Sequence, residues 1–173
     1  ITPDIIKEQY GDYEIVLCGG STPIVPCFMT EFKDYMTADD VLYGRKFPGR
    51  KIVIIGGGSV GCETADYLAP IVNDRFPRNR EITLIEMTHE IMANESGPGR
   101  SLLAQRMMGK GIQIICDAKV EKVSNDTIQY SKNGADYEIT DADTLVLAMG
   151  YRPNVTLQEQ LTDAGVAYTV LGD

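Results

Sequence analysis

The chain has 173 residues, a formal net charge of -9 and a hydrophobic share of 43%, a composition typical of a globular domain rather than of a disordered segment. The excess of acidic residues argues against general nucleic-acid binding, because contacts with phosphates need clustered Lys and Arg. No apolar run approaches the roughly 20 residues that cross a bilayer. We therefore expect a soluble, cytoplasmic protein whose partners include neither nucleic acid nor a membrane.

The cysteine and histidine positions argue against a metal site or a disulfide framework. The four cysteines (Cys18, Cys27, Cys62 and Cys116) share no C-x-x-C spacing, and His89 is the single histidine. We expect reduced, mostly buried thiols and no bound metal. The sequence starts without methionine or a secretion signal, and we interpret it as a piece of a longer protein.

The first third of the chain predicts two strands separated by a long connection. Residues 13–17 form a short apolar run that ends at a Gly-Gly pair, which is typical of a buried strand followed by a turn. Residues 24–48 show no sustained period, and we interpret them as a connection with one short helix over 37–41. Residues 51–55 predict a strand that is continuously apolar after Lys51, as in a parallel strand covered on both faces. A helix over residues 59–69 follows directly.

The rest of the chain continues an alternation of strands and helices and then changes to short strands. The expected elements are a strand over 81–87, a helix over 101–110 and strands over 112–116, 119–123, 127–130, 137–140 and 144–148, then a helix near 157–164 and a strand over 167–171. Asn125-Asp126 and Asn133-Gly134 are turn formers between the short strands. The sequence therefore predicts an α/β fold, a Rossmann-like parallel sheet with an antiparallel β-meander.

The glycine motif after the strand over 51–55 indicates a dinucleotide site. Gly56 permits the tight turn, Gly58 lets the backbone approach a pyrophosphate, and Gly61 lets the helix pack closely on the strand. The N–H groups and the positive dipole at the helix start then bind the phosphates. We expect the whole turn to contact nicotinamide dinucleotide, namely Gly56, Gly57, Gly58, Ser59, Val60 and Gly61.

An acid at the end of the next strand predicts which nucleotide binds. Glu86 can accept hydrogen bonds from the adenosine ribose and would repel a 2′-phosphate, so NAD(H) is favoured over NADP(H), and Met87 belongs to the same site. Glu86 lies 25 positions after the last glycine of the motif, more than the usual spacing of about 20, and we interpret residues 70–79 as an enlarged loop. An alternative is that Arg75, Arg78 or Arg80 contacts a 2′-phosphate.

Two further side chains have competing interpretations. Cys62 lies one residue inside the helix, where the helix dipole can lower a thiol pKa. A small packing residue is the favoured interpretation. We interpret His89 as a surface loop residue rather than a catalytic one.

Several ordered motifs resemble the pyridine-nucleotide-disulfide oxidoreductase superfamily. They are G-G-G-S-V-G-C-E-T-A-D-Y-L over 56–68, the strand that ends at Glu86, L-A-M-G-Y-R-P-N over 147–154 and the closing L-G-D. The sequence looks most like the carboxyl-terminal part of the NADH:flavin oxidoreductase, NADH oxidase and 2,4-dienoyl-CoA reductase group. In that superfamily an NAD domain is inserted into an FAD domain. The resemblance therefore implies an NAD(H)-binding domain over 49–150, flanked by strips of an FAD-binding domain over 1–48, which includes a linker, and 151–173.

The resemblance also implies roles for residues outside the glycine motif. Gly19, Gly20, Ser21 and Asp173 would lie near FAD. Glu63 would lie near the nicotinamide end of NADH, Val120 near its adenosine half and Gly150 where the nicotinamide passes toward the flavin.

The implied function is to position NADH for hydride transfer to FAD, with no catalytic side chain in this chain. The piece would be catalytically incomplete and would need the remainder of its own FAD domain and a catalytic domain. A dienoyl-CoA reductase-like parent would also carry FMN and an iron–sulfur cluster in an amino-terminal part. One alternative is a non-catalytic NAD-sensing or regulatory module. A flavin-free dehydrogenase is disfavoured, because no His, Lys or Tyr constellation suggests a proton relay.

Overall fold

The computed structural model describes residues 1–29, 34–69, 80–124 and 127–172. Within these ranges the α-helices are α1 (Pro3–Tyr10), α2 (Ala38–Leu42), α3 (Ser59–Leu68), α4 (Pro98–Gly109) and α5 (Thr156–Asp163). The strands are β1 (Val16–Leu17), β2 (Ser21–Pro23), β3 (Met36–Thr37), β4 (Lys51–Ile55), β5 (Glu81–Ile85), β6 (Gln113–Ile115), β7 (Ala118–Ser124), β8 (Thr127–Lys132), β9 (Ala135–Ile139), β10 (Thr144–Leu147), β11 (Tyr151–Pro153) and β12 (Thr169–Val170). None of these helices is long and apolar enough to cross a membrane.

The chain divides into two compact units. The central unit is Ile24–Gly150, and the flanking unit combines Ile1–Pro23 with the chain after residue 150. Residues 24–48, expected to belong with the flanking segments, lie in the central unit, because β3 pairs with β10 in its sheet. A strand of two residues has no periodicity of its own, so only its partner strand reveals it.

The central unit is built on a five-stranded parallel sheet with the order β3-β10-β4-β5-β6. The register of β4 and β5 runs from Lys51↔Glu81 to Ile55↔Ile85. Helix α3 connects β4 to β5, and α4 connects β5 to β6. The predicted alternation of strand and helix is confirmed. Helix α4 begins three residues earlier than expected, at Pro98, because proline suits the first turn of a helix, where its missing N–H is not needed.

Both faces of the parallel sheet are covered, which explains why β4 is apolar from Ile52 to Ile55. Ile52 and Ile54 face the helices and pack in one cluster with buried residues of α3 and α4. Val53 and Ile55 point to the opposite face and pack with buried residues of β7 and β8. Because successive side chains of a strand point to opposite faces, a strand buried on both sides must be apolar at every position.

The predicted antiparallel meander is also confirmed, with the strand order β7-β8-β9. Asn133 and Gly134 connect β8 to β9 and have φ values of 53° and 76°. Two positive φ angles in a two-residue loop match the twist of a hairpin, and Asn-Gly accepts them at low cost. The other predicted turn, Asn125-Asp126, lies outside the described residues.

The flanking unit contains two small sheets and its own core. Strands β1 and β12 pair in parallel, and β2 and β11 pair antiparallel. Ile6, Leu17 and Leu161 form the buried cluster. The predicted strands over 13–17 and 167–171 are present but shorter, whereas the β2–β11 pair was not predicted. Strand β2 immediately precedes the central unit in the chain and β11 immediately follows it, so this pair joins the two parts of the flanking unit.

The turn between β4 and α3 depends on two glycines for reasons internal to the chain. Gly56 has a φ of 107°, and a Cβ added there would lie 2.3 Å from the carbonyl oxygen of Ala148. A Cβ added at Gly61 would lie 1.9 Å from the carbonyl oxygen of Gly56. The start of α3 is therefore packed directly against the end of β4, as the sequence predicts.

We expect the substitution Gly61→Ala to lower the free energy of unfolding by roughly 2–3 kcal/mol, because the added methyl group overlaps backbone that cannot move away. Chemical denaturation followed by circular dichroism measures the change. The control is Gly99→Ala in α4, where an added Cβ meets nothing within 4 Å. Equal stability of the two variants would contradict this account of the turn.

A capping box at the start of α2 makes a pH-dependent contribution to stability. The hydroxyl of Thr37 accepts from Asp40 N–H at 3.1 Å, and Thr37 N–H donates to the Asp40 carboxylate at 3.0 Å. The second hydrogen bond lowers the pKa of the Asp40 carboxyl below its ordinary value, although burial acts in the opposite direction. The contribution is therefore complete above the unfolded pKa and is lost as the pH falls through the lowered folded value.

We expect Asp40→Asn to reduce the free energy of unfolding by about 0.5–1 kcal/mol at neutral pH. The difference from the parent should shrink on acidification, because protonation removes the same interaction from Asp40. Denaturation midpoints measured across the acid range test both statements. The control is Asp136→Asn, which makes the same charge change at an exposed aspartate of β9 that caps no helix. A difference that persists undiminished at acid pH would refute the explanation.

Candidate functional site

A cleft of about 570 Å³ lies in the central unit at the carboxyl ends of β4, β5 and β10. In open α/β sheets, ligands bind outside the carboxyl ends of the strands. Six residues predicted from the sequence line the cleft: Gly56, Gly58, Glu86, Met87, Val120 and Gly150. They come from four separate strand ends or strands, and the parallel sheet and the meander bring them together.

Gly58 leaves open space on the wall of the cleft. Its φ and ψ are -67° and -178°, which any residue adopts, and an added Cβ would meet nothing within 4 Å. Packing within the protein therefore does not require glycine at this position, in contrast to Gly56 and Gly61. The space fits a bound group that approaches the backbone closely, as predicted for a pyrophosphate.

The backbone N–H groups at the start of α3 have no side-chain cap. Gly58 is the N-cap residue, no side chain caps this end, and the first turn contains no acidic residue. The first N–H groups of a helix have no partner within the helix, and the dipole makes this end positive. The Ser59 hydroxyl donates to Glu95 at 2.6 Å, which brings one carboxylate close to the same helix end.

Glu86 connects the end of β5 to the glycine turn. Its Oε2 accepts a hydrogen bond from Gly57 N–H at 2.5 Å, and its Oε1 accepts from the N–H and the hydroxyl of Thr88 at 2.7 and 2.8 Å. Its own backbone pairs with Ile115 and Ala118. The carboxylate is therefore held beside the glycine turn, at the position where the sequence predicts a partner for ribose.

Several residues at the cleft were not predicted. Cys27 and Phe28 line it from a 3-10 helix, Cys27–Met29, in a segment that was interpreted as a connection. Lys119 lines the wall and forms an ion pair with Glu121, with Nζ 2.9 Å from Oε2, and this hydrogen bond lowers the pKa of the Glu121 carboxyl. The alternation of polar and apolar residues in β7 shows which of them face outward, but no local signal places Lys119 at the cleft.

The remaining predicted residues lie outside the lining of the cleft. Gly57, Ser59, Val60 and Gly61 belong to the turn and helix start behind it, and Glu63 is exposed on α3. Gly19, Gly20 and Ser21 lie in the flanking unit, where Gly20 has a φ of 66° and its carbonyl oxygen accepts from Asn154 N–H at 2.9 Å. Asp173 lies outside the described residues.

Cys62 is a packing residue and not an activated thiol. Its side chain is fully buried, and it donates to the carbonyl oxygen of Gly57 at 3.3 Å. Burial, followed by the nearby negative charge of Glu86, raises the pKa of the Cys62 thiol to about 12. The interpretation with a lowered pKa is wrong, because desolvation outweighs the helix dipole at this depth.

The other polar candidates do not converge on the cleft. The His89 side chain is 90% exposed, with Nδ1 3.0 Å from an Asp117 oxygen, which confirms a surface position. The Arg80 guanidinium donates to the carbonyl oxygens of Pro48, Gly49 and Leu68, and the first two of these precede β4 at the opposite end of the sheet. Arg80 is therefore unsuited to hold a 2′-phosphate, and Arg75 and Arg78 lie outside the described residues.

Within the described ranges, no group of three or more His, Cys, Asp or Glu side chains is arranged to hold a metal ion.

Comparisons with known proteins agree with this fold. The family model for pyridine nucleotide-disulphide oxidoreductases matches residues 6–172. The bilirubin reductase of Mediterraneibacter gnavus is 29% identical over 170 residues, 98% of this chain and 25% of the relative. The NADH oxidase of Thermoanaerobacter brockii is 29% identical over 168 residues, 94% of this chain and 25% of the relative. A solved 2-naphthoyl-CoA reductase in complex with 2-naphthoyl-CoA shares the fold, with a TM-score of 0.81 at 22% identity over 100% of this chain and 25% of that one.

The chain spans about a quarter of the length of these relatives. The family model, in contrast, covers nearly all of it, including the glycine turn, Glu86 and both compact units. The fold, the cleft at the strand ends and this match lead to one conclusion: the chain belongs to the pyridine nucleotide-disulphide oxidoreductase family.

Proposed function

We propose that the central unit is the NAD(H)-binding domain of a flavin-dependent NADH oxidoreductase and positions NADH for hydride transfer to FAD. The observation that carries this proposal is the meeting of three features at one cleft: the open space at Gly58, the uncapped start of α3 and the Glu86 carboxylate. The expected domain over 49–150 is extended to include residues 24–48, because Cys27 and Phe28 line the same cleft.

The pyrophosphate would lie against Gly58 and the first turn of α3. The N–H groups of Ser59 and Val60 stand at the positive end of the helix, where an anion replaces the missing hydrogen-bond acceptors. Gly56, Gly57 and Gly61 act indirectly, because their backbone geometry brings the helix start close to the strand. Of these three glycines, Gly56 also lines the cleft beside Gly58.

The adenosine ribose would hydrogen-bond to Glu86, with Met87 and Val120 beside the adenosine half. Glu86 presents a carboxylate that accepts hydroxyl donors and repels an additional phosphate. Lys119, a cation on the cleft wall, is paired with Glu121. Both features support NADH over NADPH, and the similarity to an NADH oxidase supports the same choice.

The nicotinamide end would lie toward Gly150, which has a φ of 85° and carries no side chain to block the approach. Glu63 is assigned to this end by family resemblance alone. Bound nicotinamide dinucleotide supplies the hydride. The chain contributes placement and an apolar wall that excludes water, formed by residues that include Ile55, Ile85 and Ala148.

We further propose that the flanking unit is part of the FAD-binding domain, with Gly19, Gly20, Ser21 and Asp173 toward the flavin nucleotide. Strands β1 and β12 form a two-stranded parallel sheet whose Val16 and Val170 are 49% and 47% exposed. Parallel sheets are normally buried on both faces and larger than two strands. This exposed apolar surface is evidence that further strands of the longer protein extend the sheet. To that longer protein we also assign the complete reaction, any FMN and iron–sulfur cluster, and a dienoyl-CoA reductase-like activity.

We expect calorimetric titration of the 173-residue chain to give tighter binding of NADH than of NADPH. Glu86→Gln should weaken NADH binding by roughly tenfold or more, because hydrogen bonds to a charged acceptor are lost. The same variant should bind NADPH at least as tightly as the parent chain does, because the repulsion of the 2′-phosphate is removed.

The matched control is Glu81→Gln, which makes the same charge change at the amino end of the same strand and should leave both affinities unchanged. Tighter binding of NADPH by the parent chain, or an equal effect of the two substitutions, would refute the assignment of Glu86.

A second test separates the ligand-facing glycine from the structural ones. Gly58→Ala should reduce NADH affinity by roughly tenfold (about 1.4 kcal/mol), because its methyl group would occupy the space assigned to the pyrophosphate. The melting temperature should stay at the parent value, since an added Cβ has no clash within the protein. The control Gly99→Ala should lower neither the NADH affinity nor the melting temperature. Unchanged NADH affinity in Gly58→Ala would place the pyrophosphate elsewhere.

A further inference from the structure

The hydroxyl of Thr88 lies within hydrogen-bond distance of two acceptors. It is 2.8 Å from Oε1 of Glu86 and 2.9 Å from the carbonyl oxygen of Glu90. A hydroxyl group has one proton, so it donates fully to one acceptor at a time. The Thr88 hydroxyl can therefore donate either to Glu86 or to the Glu90 carbonyl oxygen without any movement of the backbone.

The number of acceptor sites on the Glu86 carboxylate limits how many donors can bind there together with a ribose. A carboxylate offers about four acceptor sites. Three donors occupy it in this structure: Gly57 N–H, Thr88 N–H and the Thr88 hydroxyl. The two hydroxyl groups of a ribose bring two more donors. One protein donor must therefore leave before both ribose hydroxyls can bind.

The two N–H donors are fixed by the backbone around them. The carbonyl oxygen of Gly57 accepts from Met92 N–H at 2.7 Å, and the carbonyl oxygen of Thr88 accepts from Asp117 N–H at 2.9 Å. Displacing the backbone of Gly57 or Thr88 would therefore disturb these bonds as well. The Thr88 hydroxyl needs only to redirect its proton, because the Glu90 carbonyl oxygen is already within reach.

We propose that Thr88 is a positioning residue for nucleotide selectivity, whose hydroxyl aims the Glu86 carboxylate in the free protein and donates to the Glu90 carbonyl oxygen once a ribose hydroxyl arrives. This inference rests on the proposed function, since it requires the ribose to bind at Glu86. Thr88 acts through Glu86 and touches no reacting atom. Its effect is confined to nucleotides with a free ribose diol, because a 2′-phosphate cannot donate to the carboxylate.

The test compares Thr88→Val and Thr88→Ser by calorimetric titration of the 173-residue chain with NADH and with NADPH. Valine keeps the shape but removes the hydroxyl that aims the Glu86 carboxylate in the free protein, so NADH must order this side chain on binding. The dissociation constant for NADH should therefore rise roughly 3- to 10-fold, the range expected for ordering one side chain. NADPH affinity should not change. Serine keeps the hydroxyl and should retain the parent selectivity.

The control is Thr83→Val in β5, whose hydroxyl lies 3.4 Å from a Gln113 oxygen, away from Glu86. It should leave both affinities at the parent values. If Thr88→Val fails to fold, as judged by its melting curve, Thr88→Ala replaces it with the same expected results.

The outcomes separate this inference from the function on which it rests. An NADH-selective parent whose selectivity is insensitive to Thr88→Val overturns the role of Thr88 and leaves the NAD(H) site standing. A parallel loss of NADH and NADPH affinity also overturns it, because a purely structural defect acts on both nucleotides. A parent chain that binds neither nucleotide overturns both proposals.

Discussion

The hydrogen bond from Gly57 N–H to the Glu86 carboxylate joins the two parts on which the cleft depends. Gly57 belongs to the turn that follows β4, and Glu86 follows β5. The bond can form only because β4 and β5 are neighbours in register, so that their ends lie at the same level of the sheet. The Gly57 carbonyl oxygen in turn accepts a hydrogen bond from Met92 N–H, which ties the loop after β5 to the same residue. Turn, acid and loop therefore form one rigid edge.

The electrostatics of this edge depend on backbone groups more than on cationic side chains. The chain has a net charge of -9, Glu86 and Glu95 lie next to the glycine turn, and Lys119 is paired with Glu121. In the proposed NAD(H) site, we therefore assign the attraction for the pyrophosphate to the N–H groups and the dipole at the start of α3. We expect such a site to disfavour a nucleotide with an additional phosphate near Glu86.

The strongest local patterns predicted the fold well, and the weakest failed for a physical reason. Residues 51–55 and the glycines after them define a strand, a turn and a helix start within about 10 residues, and Asn133-Gly134 defines a hairpin by its own backbone preferences. Strands β2, β3 and β11 have three residues or fewer and gain their stability from partners far along the chain. Their strand character depends on context more than on intrinsic preference.

The sequence by itself determined the glycine spacing, the position of the acid after the strand over 81–87 and the family resemblance, because each depends on residues close together in the chain. Only the tertiary structure decided that Cys27 and Lys119 reach the cleft, that Arg80 binds carbonyl oxygens at the other end of the sheet and that Thr88 holds Glu86. These features depend on the order in which strands pair and on where side chains point. Strand order and side-chain direction follow from contacts between distant residues, which local patterns do not contain.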